Sequence, residues 1–334
     1  MEEIQYEKMG MIKQGNLGYF HWGINTKTKQ IIAIQTVPIT DKLEGVPRSV
    51  LDEVSLVKGL QHTNIIRLLA VQVQENTVDL IYEHTNTDLH RLIHPAPGKN
   101  RIIKPPLIKK ILYQVLSGLS NYHSRKIIHR DIKPRNVLID TDTLVVKIAD
   151  LWLTKKFCGQ GCRLGTELTR VGNRGTRAPE ILLGATNYSG SADIWSVGCL
   201  FYEMMTGKLL FSENTLAGDT LCEIFSIFGM PTEDTWPGVT FLPGYHSVRQ
   251  QVRNFLISSH NFLVSFYSIL FVLSSMQFLV YKGEKKNIMS LCSDAGLEEV
   301  GVELLSKMLC MNPSARVSTE DAIKDPYLMD MMAV

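Results

Sequence analysis

The run His129-Arg130-Asp131-Ile132-Lys133-Pro134-Arg135-Asn136, followed by Lys147-Ile148-Ala149-Asp150, holds the side chains that a phosphoryl transfer needs. Asp131 is of a type to hold an attacking hydroxyl, with Lys133 beside it. Asn136 and Asp150 are oxygen donors that can hold a metal. Such a transfer asks for little covalent chemistry and much positioning, because phosphate charge must be met by metal while the nucleophile is aimed. A chance loop with scattered charges is a poor explanation of so many specified positions in this order.

With these motifs the sequence resembles the eukaryotic protein kinases and, in its details, the cyclin-dependent kinases. The resemblance implies an α+β, two-lobed protein-kinase fold, with a small β-rich N-lobe over residues 1–83 and a larger α-helical C-lobe over 84–334. It implies ATP and Mg²⁺ as cofactors, with Mg²⁺ on Asn136 and Asp150, and Asp131 orienting the hydroxyl of a protein Ser or Thr followed by Pro. Lys133 is the residue that Ser/Thr-directed members carry after H-R-D-I.

The elements that must position this loop are legible on both sides of it. From Tyr6 to Glu83, short apolar runs alternate with turn-like breaks, as in a small antiparallel sheet interrupted by one helix. Ile12 to Phe20 lies where the family has its Gly-rich loop over the phosphates; Gly15 and Gly18 are kept, Lys13 stands at the first glycine position, and Phe20 is expected over the adenine. Ile32-Ala33-Ile34-Gln35 stands for the V-A-I-K strand, so an amide replaces the phosphate-pairing Lys. An amide cannot neutralise phosphate charge, and loss of one preorganised stabiliser costs on the order of 10²–10³ in rate. Lys13 either supplies that charge from the loop, as with-no-lysine kinases do from a nearby strand, or is a solvated surface lysine.

Pro47 to Val57 resembles the cyclin-binding helix, whose signature is P-S-T-A-I-R-E, and Val50, Val54 and Val57 recur at helical spacing. Glu53 aligns with the ion-pairing Glu of that helix, while Asp52 replaces an Arg that helps hold the activation-loop phosphate. Leu80 to Leu89 resembles the strand and hinge, with Tyr82 as gatekeeper, the backbone of Glu83 and Thr85 at the adenine edge, and Asp88 near the ribose.

Downstream, Ile108, Ile111, Leu112, Val115, Leu119 and Tyr122 mark the core face of a helix leading into the loop, and Leu138 is expected beneath the adenine. Asp150-Leu151-Trp152 replaces D-F-G, and Trp152 should disfavour the metal-holding conformation of Asp150, because the glycine it replaces has backbone freedom that a Cβ removes. In the activation segment before Ala178-Pro179-Glu180, the family's phosphorylated Thr aligns with Leu168, with Thr166 and Thr169 adjacent, and Asn173 replaces a bridging Thr. Tyr188 to Gly207 should hold the central buried helix, and Arg316 aligns with the Arg that pairs with Glu180.

Composition sets outer bounds. With 334 residues and 45% hydrophobic content the chain can bury a large core. Lys+Arg 35 against Asp+Glu 33 gives no basic excess for nucleic acid. The six cysteines lack zinc-ligand spacing, and reduced thiols inside the cell, in nucleus or cytoplasm, are expected. From about 252 to 281 runs an apolar insertion without a charge after Arg253. A membrane span there would split the C-lobe and no site for an extra buried helix is evident, so the favoured reading is a translated retained intron, since its residue types share uridine-rich codons. No membrane partner is expected. Two functions remain open: a cyclin-dependent Ser/Thr kinase impaired by Gln35 and Trp152, or a pseudokinase serving as a cyclin- or partner-binding module.

Overall fold

The computed structural model describes residues 4–15, 17–40, 45–97, 103–150, 153–156, 174–213, 215–252 and 297–332. The expectations for Leu151, Trp152, Thr166, Leu168, Thr169 and Asn173, and for the apolar insertion beyond Val252, lie outside the described residues. The chain divides into two compact units, Met1–Phe157 with Asp330–Val334, and Cys158–Met329. The expected lobe boundary after Glu83 falls inside the first.

The first unit opens with a five-stranded antiparallel sheet of β1 (Tyr6–Gln14), β2 (Tyr19–Asn25), β3 (Ile31–Pro38), β4 (Leu68–Val73) and β5 (Thr77–Glu83), in the order β1-β2-β3-β5-β4. β3 and β5 are central and rich in β-branched residues, which suit a pleated surface covered on both sides. One face packs Ile32, Ile34, Ala70 and Ile81 under Ile4, Tyr6 and Leu69. On that face the wholly buried carboxylate of Asp79 accepts from the hydroxyls of Tyr6 (2.5 Å) and Thr36 (2.6 Å) and from Lys8 (2.9 Å), so a buried charge is fully met. β1 is an edge strand broken by two bulges, a device that twists an edge away from further pairing.

Between β3 and β4, α1 (Arg48–Gly59) buries Val50, Glu53 and Val57. Val54 is only half-buried, and the carboxylate takes its expected place on the inner face. The two-residue β6 (Thr87–Asp88) leads into α2 (Leu89–Ile93), whose N-terminus Asp88 caps by accepting from the Arg91 amide at 3.0 Å. α3 (Pro105–Ser124) starts at a proline, tolerated where no helical N–H partner is needed, and buries the whole expected stripe from Ile108 to Tyr122. A Cβ at Gly118 would stand 2.9 Å from the Asn64 carbonyl oxygen and from Ile148, so glycine permits the close approach of α3.

After α3 come β7 (Ile127–Ile128), β8 (Val137–Ile139), β9 (Val146–Ile148) and β10 (Lys155–Lys156). They form a β6-β8-β9 sheet and a β10-β7 ribbon. The loop between β7 and β8 is thereby anchored at both ends, and it carries Asp131, Lys133 and Asn136.

The second unit is helical: α4 (Pro179–Leu182), α5 (Ser191–Thr206), α6 (Ala217–Phe228), α7 (Glu299–Met308) and α8 (Thr319–Ile323). α5 is buried on every side and apolar nearly all round, as a central helix must be. It ends at Gly207 in the left-handed region (φ 71°), and the Gly207 amide donates to the Glu203 carbonyl. Arg316 makes a two-pronged pair with Glu180 (2.8 and 3.0 Å) and lies 5.2 Å from the Trp195 ring centroid, as its alignment with Glu180 anticipates.

Candidate active site

The loop after β7 brings three of the expected residues together. Asp131 is buried, and the Lys133 ammonium donates to its Oδ2 at 2.7 Å. The Asn136 amide donates to the same oxygen at 2.9 Å and to the Asp131 backbone carbonyl at 2.8 Å. A carboxylate held this way keeps one oxygen for a substrate hydroxyl. Because both Asn136 N–H groups are spent on Asp131, its Oδ1 is left as a buried oxygen with no partner among the described residues. This amide oxygen and the carboxylate of Asp150, next in the chain to the Ala149 amide that bonds the Asn136 carbonyl, are oxygen donors of the kind a hard divalent cation takes.

Asp150 is set by backbone geometry. It sits in the left-handed region (φ 70°), as does Arg130 (φ 71°), and both are non-glycine residues for which that conformation stores strain of order 1–3 kcal/mol. Hydrogen bonds hold the turn. The buried His129 ring lies between the Ala149 carbonyl (3.2 Å from Nε2) and the Asp131 amide (3.3 Å from Nδ1), so Nε2 donates and Nδ1 accepts. The Ala149 amide donates to the Asn136 carbonyl at 2.9 Å, and Arg130 donates through Nε to the Leu153 carbonyl. Burial raises the pKa of the Asp150 carboxyl, with Asp131 adding to the rise and Lys13 opposing it.

Gln35 is buried in β3, and the hydrogen bond to Glu53 comes from elsewhere. Glu53 therefore has a different partner from the one its alignment implies. The Tyr82 hydroxyl donates to Glu53 Oε1 at 2.8 Å, and Oε2 has no partner among the described residues. Burial pushes the Glu53 carboxyl up to about 7 despite the Tyr82 hydrogen bond, and no cation offsets it among the described residues. Burial and Glu53 raise the Tyr82 hydroxyl in turn.

The nucleotide-facing candidates are distributed as follows. A Cβ at Gly18 would stand 2.1 Å from the Thr36 carbonyl oxygen, so that position needs glycine, whereas one at Gly15 would meet the Phe20 ring edge at 2.7 Å, a side chain that can shift. Ala33 and Leu138 are half-buried. The Glu83 amide is already bonded to the Arg67 carbonyl (3.1 Å), and its side chain accepts from Lys147 at 3.0 Å. The Thr85 backbone, half-buried after β5, has no hydrogen-bond partner among the described residues. Asp88 faces Leu138 across β6 and β8, and its carboxylate is engaged by Arg91.

Three features escape a reading of the sequence. His129 ties the loop to the turn before Asp150, Tyr82 takes over Glu53, and Lys13 lies 4.0 Å from Asp150 Oδ2 with its ammonium 5.0 Å from the Phe20 ring centroid. Only His129 leaves a local trace, in its place two residues before Asp131.

An Asp braced by Lys and Asn, with oxygen donors in Asn136 and Asp150, is of a kind that can serve phosphoryl transfer. Residues 6–328 match the family model of the protein kinase domain, and the chain belongs to the protein kinase family. The α+β kinase fold expected from the motifs is the one observed, and ATP with a divalent metal, and protein substrates, are what that family uses. Among the described residues no helix is long and apolar enough to cross a membrane.

Proposed function

We propose that this chain is a Ser/Thr protein kinase of the cyclin-dependent type whose catalysis is attenuated at Gln35. The observation that carries the reading is the intact Asp131-Lys133-Asn136 bracing beside Asp150. Asp131 aims the substrate hydroxyl and receives its proton, Lys133 holds that carboxylate and offsets charge, and Asn136 and Asp150 would hold Mg²⁺. Mg²⁺, when bound, supplies neutralisation of the ATP phosphates. A kinase lobe boundary after Glu83 accords with this reading, with the Thr85 backbone as the adenine edge.

A cyclin partner is supported by α1, which buries one face and leaves Leu51 52% exposed on another. The family resemblance of Pro47 to Val57 points the same way. Asp52 is engaged by Arg48 at 3.2 Å and gives no cation for an activation-loop phosphate. Free thiols at Cys199, Cys222 and Cys310 accord with a nuclear or cytoplasmic location.

A second reading, a pseudokinase that serves as a partner-binding module, is favoured by one observation: among the described residues the Glu53 carboxylate has no cationic partner and is satisfied on one oxygen by Tyr82. Transfer of labelled γ-phosphoryl to a Ser-Pro protein substrate by the full chain, with Mg-ATP and with or without a cyclin, separates the two. Slow, cyclin-stimulated transfer supports the kinase. None under any condition supports the module.

A further inference from the structure

The missing charge at Gln35 has a geometric counterpart on the same rung of the sheet. In β1 and β2, Met11 faces His21, whereas Lys13 faces Phe20, so Ile12 is the extra residue of a bulge. Phe20 in turn faces Gln35 across β2 and β3. Residues directly opposite in a ladder project from the same face. Lys13, Phe20 and Gln35 therefore share one face, and they do so only because of the bulge. With regular pairing Ile12 would face Phe20 and Lys13 would project to the other side.

The side chain follows that placement. Its ammonium lies 5.0 Å from the Phe20 ring centroid and 4.0 Å from Asp150 Oδ2, with 45% of the side chain exposed. A cation so placed stands beside the carboxylate expected to hold the metal, at the base of the turn closed by the Gly15 amide on the Gly18 carbonyl (2.7 Å). The buried amide of Gln35, two strands away, brings no charge.

We infer that Lys13 is the cation that meets the phosphate oxygens of a bound nucleoside triphosphate, so that the nucleotide is held although Gln35 brings no charge to the group being transferred. The inference rests on the reading of this site as a nucleotide site and assigns within it the phosphate-recognising residue. An ammonium is a compact point charge with three donors, so it needs no fixed approach angle to a phosphate. Its partial exposure leaves it able to turn from Asp150 toward a ligand.

Calorimetric titration of the full chain with Mg-ATP and with adenosine tests this. Lys13→Met should weaken Mg-ATP by about ten- to hundredfold, leave adenosine affinity unchanged and leave the melting temperature near that of the native chain. Adding Gln35→Lys to that variant should return most of the lost ATP affinity. Equal ATP affinity in native and Lys13→Met protein overturns the inference while the nucleotide site stands. Equal loss for adenosine and ATP also overturns it, and assigns Lys13 to packing on Phe20. A native chain that binds neither ligand overturns both the inference and the nucleotide-site reading.

Discussion

The Tyr82 hydroxyl donates to the Glu53 carboxylate at 2.8 Å, with both side chains buried, so a tyrosine on β5 holds the helix that an ammonium on β3 would otherwise hold. A neutral donor steadies the carboxylate without compensating its charge. Glu53 therefore rises from 4.5 to about 7.

That shift has a definite sign. A carboxyl that binds its proton more tightly when folded stabilises the fold most below the unfolded value, and the contribution falls as pH rises from about 4.5 to about 7. Glu53→Gln should match the native chain near pH 5 and exceed it at pH 8 by up to about 3 kcal/mol. Thermal melts at the two pH values check this. A difference in Tm that is the same at both would contradict it.

Asp79 concerns the other face of the same sheet. Its buried carboxylate gathers Tyr6 and Lys8 from β1, Thr36 from β3 and Gln74 from the turn before β5, and removing it takes an acceptor from four polar groups. Asp79→Ala is expected to cost about 3–5 kcal/mol. Chemical denaturation followed by fluorescence reads that loss, and a change below 1 kcal/mol, within the scatter of ordinary surface substitutions, would count against the network.

In the second unit Arg316 uses the fork of its guanidinium on Glu180 and donates further to the carbonyls of Ser191, Cys310 and Met311. A lysine offers one point charge to a site shaped for a planar donor. Arg316→Lys should therefore lower Tm nearly as far as Arg316→Met. Full retention of Tm in the lysine variant would show that charge alone suffices.

The chemistry-bearing loop was legible because Asp131, Lys133 and Asn136 lie within one short stretch, where residue type and spacing nearly determine mutual reach. The α3 stripe was legible for a related reason, since 3.6-residue periodicity reports burial directly. Arg316 and Glu180 were paired only through family resemblance. Lys13 was ambiguous because its side of the sheet turns on a one-residue bulge, and a bulge leaves no pattern in a strand exposed along most of its length. Tyr82 and Glu53 meet through tertiary packing of a strand on a helix, and nothing in either local sequence names the other. Asp79 reads as an ordinary surface acid within an apolar run, and only the sheet register places it opposite Thr36.

A transfer machinery that is assembled and limited by charge at residue 35 is tested by its rate. Its most direct measurement is the rate of labelled phosphate transfer from Mg-ATP by the native chain, by Asp131→Asn and by Gln35→Lys, each with the same cyclin and Ser-Pro substrate. The account predicts slow transfer in the native chain, none above background in Asp131→Asn, and a gain of roughly 10²-fold in Gln35→Lys. Transfer that survives in Asp131→Asn, or a Gln35→Lys rate no higher than native, would contradict it.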